Sequence, residues 1–415
     1  MVRSISKLNG YDRVINCMPD KSISVRAVLF NAFAVGRATV KNLLLSDDVL
    51  SAIACARALG ASVELDGDTA VISGAPFGGA TLDCGNSGTT ARLLIGLLSG
   101  LNGKFTITGD ASLSSRPMRR VTEPLARMGA RLADTDGRLP IAITGSRLHG
   151  IDYDMPVASA QVKSALMLAA LNASSPVTVR EPAPTRDHSE NMLAAMGARV
   201  KRGDGTVTIE QSVLRSKDIT VPGDISSAAY PICLALAVNG GKCTVKNVGI
   251  NPTRTGLIDV LRDCGADIEF SNVTTDVEPS ADITVRHGKL RPFAIDGALV
   301  PRLIDEIPVL CALACFIDGV SVVRGAGELR VKETDRIATT VAALKALGAD
   351  AEATDDGMTI RGGKPLKFGE VDPKLDHRIA MSAAVAGAAG AGVTVLDADC
   401  ASVSYPDFYG EVIGD

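Results

Sequence analysis

The sequence predicts an α/β (α+β) protein assembled from six versions of one unit, and three observations carry that prediction. Five segments read alike, ALGASVEL, RMGARLAD, AMGARVKR, DCGADIEF and ALGADAEA, anchored on Gly60, Gly129, Gly197, Gly265 and Gly348 at spacings of 69, 68, 68 and 83 residues. A run of helical period precedes each glycine and a strand-like run follows it, so each glycine is expected to stop a helix. Four of these strands then meet Asp-Gly, at Asp66-Gly67, Asp136-Gly137, Asp204-Gly205 and Asp356-Gly357, a dipeptide that turns one strand back on the next.

Upstream of each glycine-ended helix lies another, rich in small apolar residues: VRAVLFNAFAVG, ARLLIGLLSG, VKSALMLAAL, SSAAYPICLALAVNGG and IPVLCALACFIDG. A short strand follows each, as in ATVKNL, KFTIT, PVTVR, CTVKNV and VSVVRG. The unit therefore reads helix, strand, polar loop, helix, hairpin. A sixth copy starts at His377 and stops after a short helix near Tyr409, without its hairpin, while RSISKL and DRVINCM at the amino terminus are spare strands. If the two ends share a domain, the units divide into two sets of three, one spanning 19–222 and the other 1–18 with 223–415. An open solenoid of stacked units is the alternative, and it would not require chemically specialised unit ends.

Composition limits the functions available. Over 415 residues, 43 Lys and Arg stand against 47 Asp and Glu for a net charge of −4, which does not indicate a broad nucleic-acid or anionic-membrane surface. Trp is absent and aromatics make up 3%, leaving little material for base stacking. Nine cysteines occur without a CxxC pair, and Cys311 and Cys315 lie in an apolar helical run where they pack as small hydrophobes. Their odd number, with no signal-like segment, fits a reducing cytoplasm. The uncharged run from Ile379 to Leu396 reaches spanning length, but Gly392 before a β-branched stretch makes it a buried helix followed by a strand. No HExxH or Cys/His cluster supports a metal.

The first helices begin at Asp20-Lys21-Ser22, Asn86-Ser87-Gly88-Thr89, Ser159-Ala160-Gln161, Asp224-Ile225-Ser226, Asp305-Glu306 and Asp376-His377-Arg378. These are capping residues. Capping does not explain the cations beside them, nor Arg116, Arg186, Arg254 and the run Lys332-Glu333-Thr334-Asp335-Arg336 in the polar loops. Several helix N-termini lined with cations make an anion receptor.

In order along nearly the whole chain, PDKSISVRA, GNSGTTARLL, SAQVKSALM, IDEIPVL, RVKETDR and DHRIAM resemble the EPSP synthase family. The resemblance implies a two-domain inverse α/β barrel, each domain three βαβαββ repeats, with the active site in the interdomain cleft. It implies transfer of the enolpyruvyl group of phosphoenolpyruvate to the 5-hydroxyl of shikimate 3-phosphate, in the shikimate pathway to chorismate and aromatic amino acids, with no cofactor or metal. The expected protein is a cytoplasmic monomer, and a glyphosate target.

Carried onto matching positions, the resemblance gives shikimate 3-phosphate to Lys21, Ser22, Arg26, Ser159, Ala160, Gln161, Arg186, Asp305 and Lys332. It gives phosphoenolpyruvate to Lys21, Gly88, Arg116, Gln161, Arg336 and Arg378, where the planar arginine fork suits carboxylate and phosphate. Asp305 is the implied base and Glu333 the implied proton donor, with Lys21 beside the reacting groups. The two acids are expected to meet only across the cleft. One departure stands out: Cys400-Ala401-Ser402-Val403-Ser404-Tyr405-Pro406 lacks the lysine that many relatives carry before an aromatic-Pro pair.

Each site has a structural alternative. Asp305 reads equally as a helix cap, Glu333 as an exposed acid in a helix first turn, and Arg92, Arg119 and Arg120 as ordinary surface charges. His149 and His287 read as solvated turn residues, and His188 and His377 as structural partners of nearby arginines. Among related functions, UDP-N-acetylglucosamine enolpyruvyl transferase usually carries a reactive cysteine that Gly109 to Arg120 lacks. RNA 3′-phosphate cyclase would need a nucleotidylated histidine and a wider basic face. A non-catalytic repeat scaffold would place interaction patches along its flanks.

Overall fold

A computed structural model describes residues 1–74 and 77–414. By its internal contacts the chain divides into two compact units: Met1–Met18 with Gly223–Thr275 and Pro279–Asp415 form the first, and Pro19–Pro222 with Asp276–Glu278 form the second.

Each unit is organised around helices with almost no solvent-facing side. In the second unit these are Lys21–Ala32, Gly88–Ser99 and Ala160–Ala170; in the first they are Ile225–Ala237, Ile307–Ala314 and His377–Ala389. Most of their residues are Ala, Leu, Val, Ile, Gly or Cys, so helices can lie close and bury nearly every face. Burying each Leu, Ile or Val contributes about 1.5–3 kcal/mol, and Leu29, Leu93, Leu94, Leu166, Leu310 and Val385 are fully enclosed. The helix at His377–Ala389 ends at Gly390 and is followed by the strand Val393–Val395, as the glycine between them implied. No helix among the described residues is long and apolar enough to cross a membrane.

Around these helices five four-stranded sheets repeat one order. In the sheet built from Ala80–Asp83, Lys104–Thr108, Arg138–Thr144 and Arg131–Thr135, a leading strand pairs in parallel with the strand after the buried helix. The latter pairs antiparallel with the second arm of the hairpin, whose first arm forms the edge. In the second unit, the sheet of Arg37–Lys41 takes its parallel strand from Ile219–Thr220, at the far end of the segment. In the first unit Asp12–Asn16 supplies the same strand to Lys242–Gly249. The truncated sixth copy is completed by Arg3–Ile5, antiparallel to Val393–Val395.

Gly60, Gly129, Gly197, Gly265 and Gly348 all have positive φ, between 80° and 105°, the left-handed geometry that stops a helix and costs other residues strain. Asp136-Gly137 forms a two-residue turn with both φ positive. The fourth Asp-Gly differs from expectation. Thr354 pairs with Gly357, so the turn is Asp355-Asp356 and Gly357 begins the returning strand. Its glycine is required by approach and not by φ, because a Cβ there would lie 2.0 Å from the Val323 carbonyl oxygen. Gly67, with φ of 56°, has open space around it.

Gly357→Ala is therefore expected to lower unfolding free energy by about 3 kcal/mol through backbone overlap, and Gly67→Ala by about 1 kcal/mol through left-handed strain alone. Urea unfolding midpoints compare them. Equal shifts would place the constraint at Gly357 in turn geometry instead.

Candidate active site

In the second unit, Asp20 caps the Lys21–Ala32 helix by accepting the Ile23 N–H at 2.8 Å. This fixes Lys21 and Ser22, both half-buried, in the first turn. Lys21 Nζ lies 2.9 Å from Asp48 Oδ2. One turn on, Arg26 is only 3% exposed and gathers three helices: Nε donates to Ser189 Oγ at 2.8 Å, Nη2 to Ser164 Oγ at 3.2 Å, and Nη1 to the Ser22 carbonyl at 3.0 Å. Burial lowers its pKa to about 10, against the pull of Asp20 and Glu190. Ser159 caps the neighbouring helix through the Val162 N–H, and Ser164 Oγ donates to the Ala160 carbonyl at 2.6 Å. Arg186 is half-buried, and its positive charge acts on Arg26.

Behind this surface Lys163, 1% exposed, lies 2.6 Å from Glu190 Oε1 and 2.9 Å from Glu181 Oε2. Burial raises the Glu190 pKa despite Lys163. His188 Nδ1 is 3.0 Å from Glu278 Oε1, a carboxylate in place of the arginine partner expected for it.

The same unit gathers Gly88, Arg116 and Gln161, and Arg92 ties Gly88 to Gln161. Arg92 Nη1 donates to Gln161 Oε1 at 2.7 Å and to the Gly88 carbonyl at 3.3 Å, and Nη2 reaches the Pro117 carbonyl at 3.4 Å. Gln161 Nε2 donates to Thr89 Oγ1 at 3.0 Å. Arg116 Nη2 donates to Asn86 Oδ1 at 2.5 Å, and Asn86 in turn to Asp110 Oδ2 at 2.7 Å. Burial lowers the Arg92 pKa to about 10, assisted by Arg116 and Arg120. The expectation that Arg92 is an ordinary surface charge is thus overturned: four residues after Gly88, it returns to the same helical face. Arg119 and Arg120 are exposed, as expected.

In the first unit, one guanidinium collects the acids. Arg336, at the start of the Arg336–Ala346 helix and 1% exposed, donates from Nε and Nη2 to the two oxygens of Asp376 at 2.9 and 3.2 Å. Its Nη1 donates to Asp305 Oδ1 at 3.3 Å, and its Nη2 lies 2.5 Å from Glu333 Oε2. Lys332 Nζ stands 3.9 Å from the same Asp305 oxygen. Asp305 and Glu333 were expected to meet only across a cleft; instead Arg336 bridges them inside one unit. The helix-cap reading of Asp305 also fails, since Glu306 occupies the cap position of Ile307–Ala314 and makes no capping bond. Glu333 lies before its helix, which Asp335 caps, so it is no first-turn acid.

Arg378 Nη1 donates to the Ser226 carbonyl at 3.3 Å and to the Tyr230 hydroxyl at 3.4 Å. Burial pulls the Arg378 pKa down, but Tyr230, Asp305, Asp224 and Glu306 together raise it by more. Burial pushes the Tyr230 hydroxyl up to about 12. The chemistry available is a base and an acid on one guanidinium, with a lysine and a second buried arginine beside them. No group of His, Cys, Asp and Glu among the described residues could hold a metal ion. Cys400 to Tyr405 form a short tight helix from Ala398 to Val403 and its exit, with Tyr405 Oη donating to Glu411 Oε2 at 2.9 Å.

A family model described as EPSP synthase (3-phosphoshikimate 1-carboxyvinyltransferase) matches residues 2–412. A 3-phosphoshikimate 1-carboxyvinyltransferase of Synechococcus sp. (strain CC9605) is 49% identical over 411 residues, 95% of this chain and 93% of the relative. One from Shouchella clausii is 49% identical over 412 residues, 97% and 96% of the two chains. The solved EPSP synthase of Acinetobacter baumannii superposes with a TM-score of 0.91 at 39% identity, covering 98% of this chain and 96% of its own. The enolpyruvyl transferase NikO of Streptomyces tendae, at 19% identity and a TM-score of 0.79 over 100% and 96% of the two chains, shares the fold.

The Arg336–Asp376 pair sets a pH dependence. Burial pushes the Asp376 pKa up, but the bonds and charge of Arg336, with His377 and Thr334, bring it below its ordinary value of 3.8. A depressed carboxyl pKa contributes stability that is present above the unfolded value and lost as pH falls through the folded one. Asp376→Asn keeps a capping side chain and removes the charge, so it should cost about 3 kcal/mol at pH 7. The gap from wild type should close below about pH 4. Urea unfolding across pH checks this, and a gap unchanged down to pH 3 would contradict it.

Proposed function

The chain belongs to the EPSP synthase family, and we propose that the residues gathered within each of its two units serve that family's reaction. The protein transfers the enolpyruvyl group of phosphoenolpyruvate to the 5-hydroxyl of shikimate 3-phosphate, giving 5-enolpyruvylshikimate 3-phosphate and phosphate, in the shikimate pathway to aromatic compounds. The single observation that carries our assignment of roles is the Arg336 guanidinium holding Asp305 and Glu333 together.

In the proposed sequence, Glu333 protonates carbon 3 of phosphoenolpyruvate while the 5-hydroxyl attacks carbon 2 and gives its proton to Asp305. The tetrahedral product then loses phosphate from carbon 2, which takes the proton held by Asp305, and returns a proton from carbon 3 to Glu333, leaving the enol ether. Glu333 is the more exposed acid, at 53% of its side chain against 19% for Asp305, which suits a group that must reach the substrate and exchange protons. Arg336 and Arg378 would take the phosphoenolpyruvate carboxylate, with Arg116, Gln161 and Lys21 on its phosphate. Lys21 would also stand beside the reacting carbon, where its charge stabilises the intermediate. Shikimate 3-phosphate would lie against Ser159, Ala160, Gln161, Ser22, Arg26 and Arg186, with Lys332 and Asp305 at its hydroxyls. The division of the chain into two compact units supports reading 19–222 and 1–18 with 223–415 as two domains.

A cytoplasmic monomer fits the same reading. The nine cysteines are free and eight are buried, which supports a reducing compartment.

Asp305→Ala should reduce turnover about 10²–10⁴-fold while shikimate 3-phosphate binding stays measurable by calorimetry; near-normal turnover would remove Asp305 from the base role. Glyphosate, a phosphonate competing with phosphoenolpyruvate, should inhibit the wild type. A Cβ at Gly88 would lie 2.7 Å from Arg92 Nη1, a movable side-chain end, so Gly88→Ala should fold while displacing the Arg92 contact to Gln161. Its inhibition constant for glyphosate should rise relative to KM for phosphoenolpyruvate, and equal resistance in both proteins would refute this.

A further inference from the structure

Glu306 follows the proposed base directly and takes no part in the chemistry above. It is 1% exposed, in the first unit's core, at a helix start where it makes no capping bond. A carboxylate enclosed in this way costs several kcal/mol unless its partners compensate. Its Oε1 accepts from the Ser226 hydroxyl and lies 3.4 Å from Arg254 Nη2, while Oε2 accepts no hydrogen bond among the described residues.

Ser226 is the hub. Its N–H donates to Asp224 Oδ1 at 2.9 Å, fixing it in the first turn of the Ile225–Ala237 helix. Its hydroxyl receives Arg254 Nη2 at 2.8 Å, so its own proton points to Glu306. Its carbonyl accepts Arg378 Nη1 at 3.3 Å. Two buried guanidinium groups thus converge on one serine, Arg254 on the hydroxyl and Arg378 on the carbonyl. Glu306 supplies negative charge to both, acting on Arg378 alongside Asp305 and Asp224.

We propose that Glu306 is a positioning residue for phosphoenolpyruvate recognition, holding the Arg378 guanidinium in place through Ser226 and Arg254. Neutralising it leaves the Ser226 hydroxyl only an uncharged acceptor and removes the negative charge that offsets two like charges sharing one anchor, so Arg378 shifts from the place where it meets the substrate carboxylate. The inference rests on the reading of Arg378 as a phosphoenolpyruvate ligand. It implies that the acid beside the base serves the other substrate.

The test is steady-state kinetics of the full chain for Glu306→Gln, Ser226→Ala, their double variant and Arg378→Lys. Glu306→Gln should raise KM for phosphoenolpyruvate by about 2- to 30-fold, the range for residues acting through one intervening contact. KM for shikimate 3-phosphate should stay unchanged, and the double variant should be no worse than the more damaging single one. A fall in kcat with both KM values unchanged is what a loss of folded protein produces, and it would overturn the proposal. If Arg378→Lys raises KM for phosphoenolpyruvate and Glu306→Gln does not, the proposal alone fails. If Arg378→Lys leaves that KM unchanged, the reading of Arg378 fails and the proposal with it.

Discussion

The buried Arg336 guanidinium, shared among Asp376, Asp305 and Glu333, is the constraint from which the arrangement of acids in the first unit follows. A guanidinium withdrawn from water must have its charge matched, and its planar fork sets where the matching oxygens lie. Asp376, fully enclosed at the start of its own helix, anchors the fork from behind. The front of the fork is then left for Asp305 and Glu333. On the proposed reading, a substrate carboxylate reaching Arg336 would displace the exposed partner and not the anchor, so Glu333 would be the acid that binding frees.

The second unit uses cations differently. Lys21 and Arg116 keep their ends near solvent, whereas Arg26 is buried, Arg92 is half-buried, and both spend their donors on serine hydroxyls, carbonyls and Gln161. Their charge acts through an interior of low dielectric, where it is felt more strongly than at the surface. A chain with a net charge of −4 can therefore accommodate two phosphorylated substrates, because its positive charge is concentrated where helices begin.

Much of the fold was legible because it obeys local rules. Glycines of positive φ end helices whatever their surroundings, and five of the six buried first helices carry the Asp or Ser cap that their sequences suggested. The exception, Ile307–Ala314, was the informative one: its acids abandon capping because Arg336 and Arg254 draw them elsewhere. Those pairings join residues 31 and 52 positions apart, and no local pattern encodes them. Gly357 was misread for the same reason, since the Val323 carbonyl that excludes a side chain there is brought in by the sheet. Arg92 was the legible miss, lying one helical turn beyond Gly88 on the same face. The family resemblance named Asp305 and Glu333 but not what holds them.

A double-mutant cycle between Arg336 and Asp305, with Arg336→Lys and Asp305→Asn read as kcat/KM for phosphoenolpyruvate, probes that shared guanidinium directly. If one guanidinium holds the base in place, the two losses overlap, and the coupling energy should be at least about 1 kcal/mol. Losses that simply add would mean that Asp305 is positioned independently of Arg336, and would contradict the central part given to that side chain.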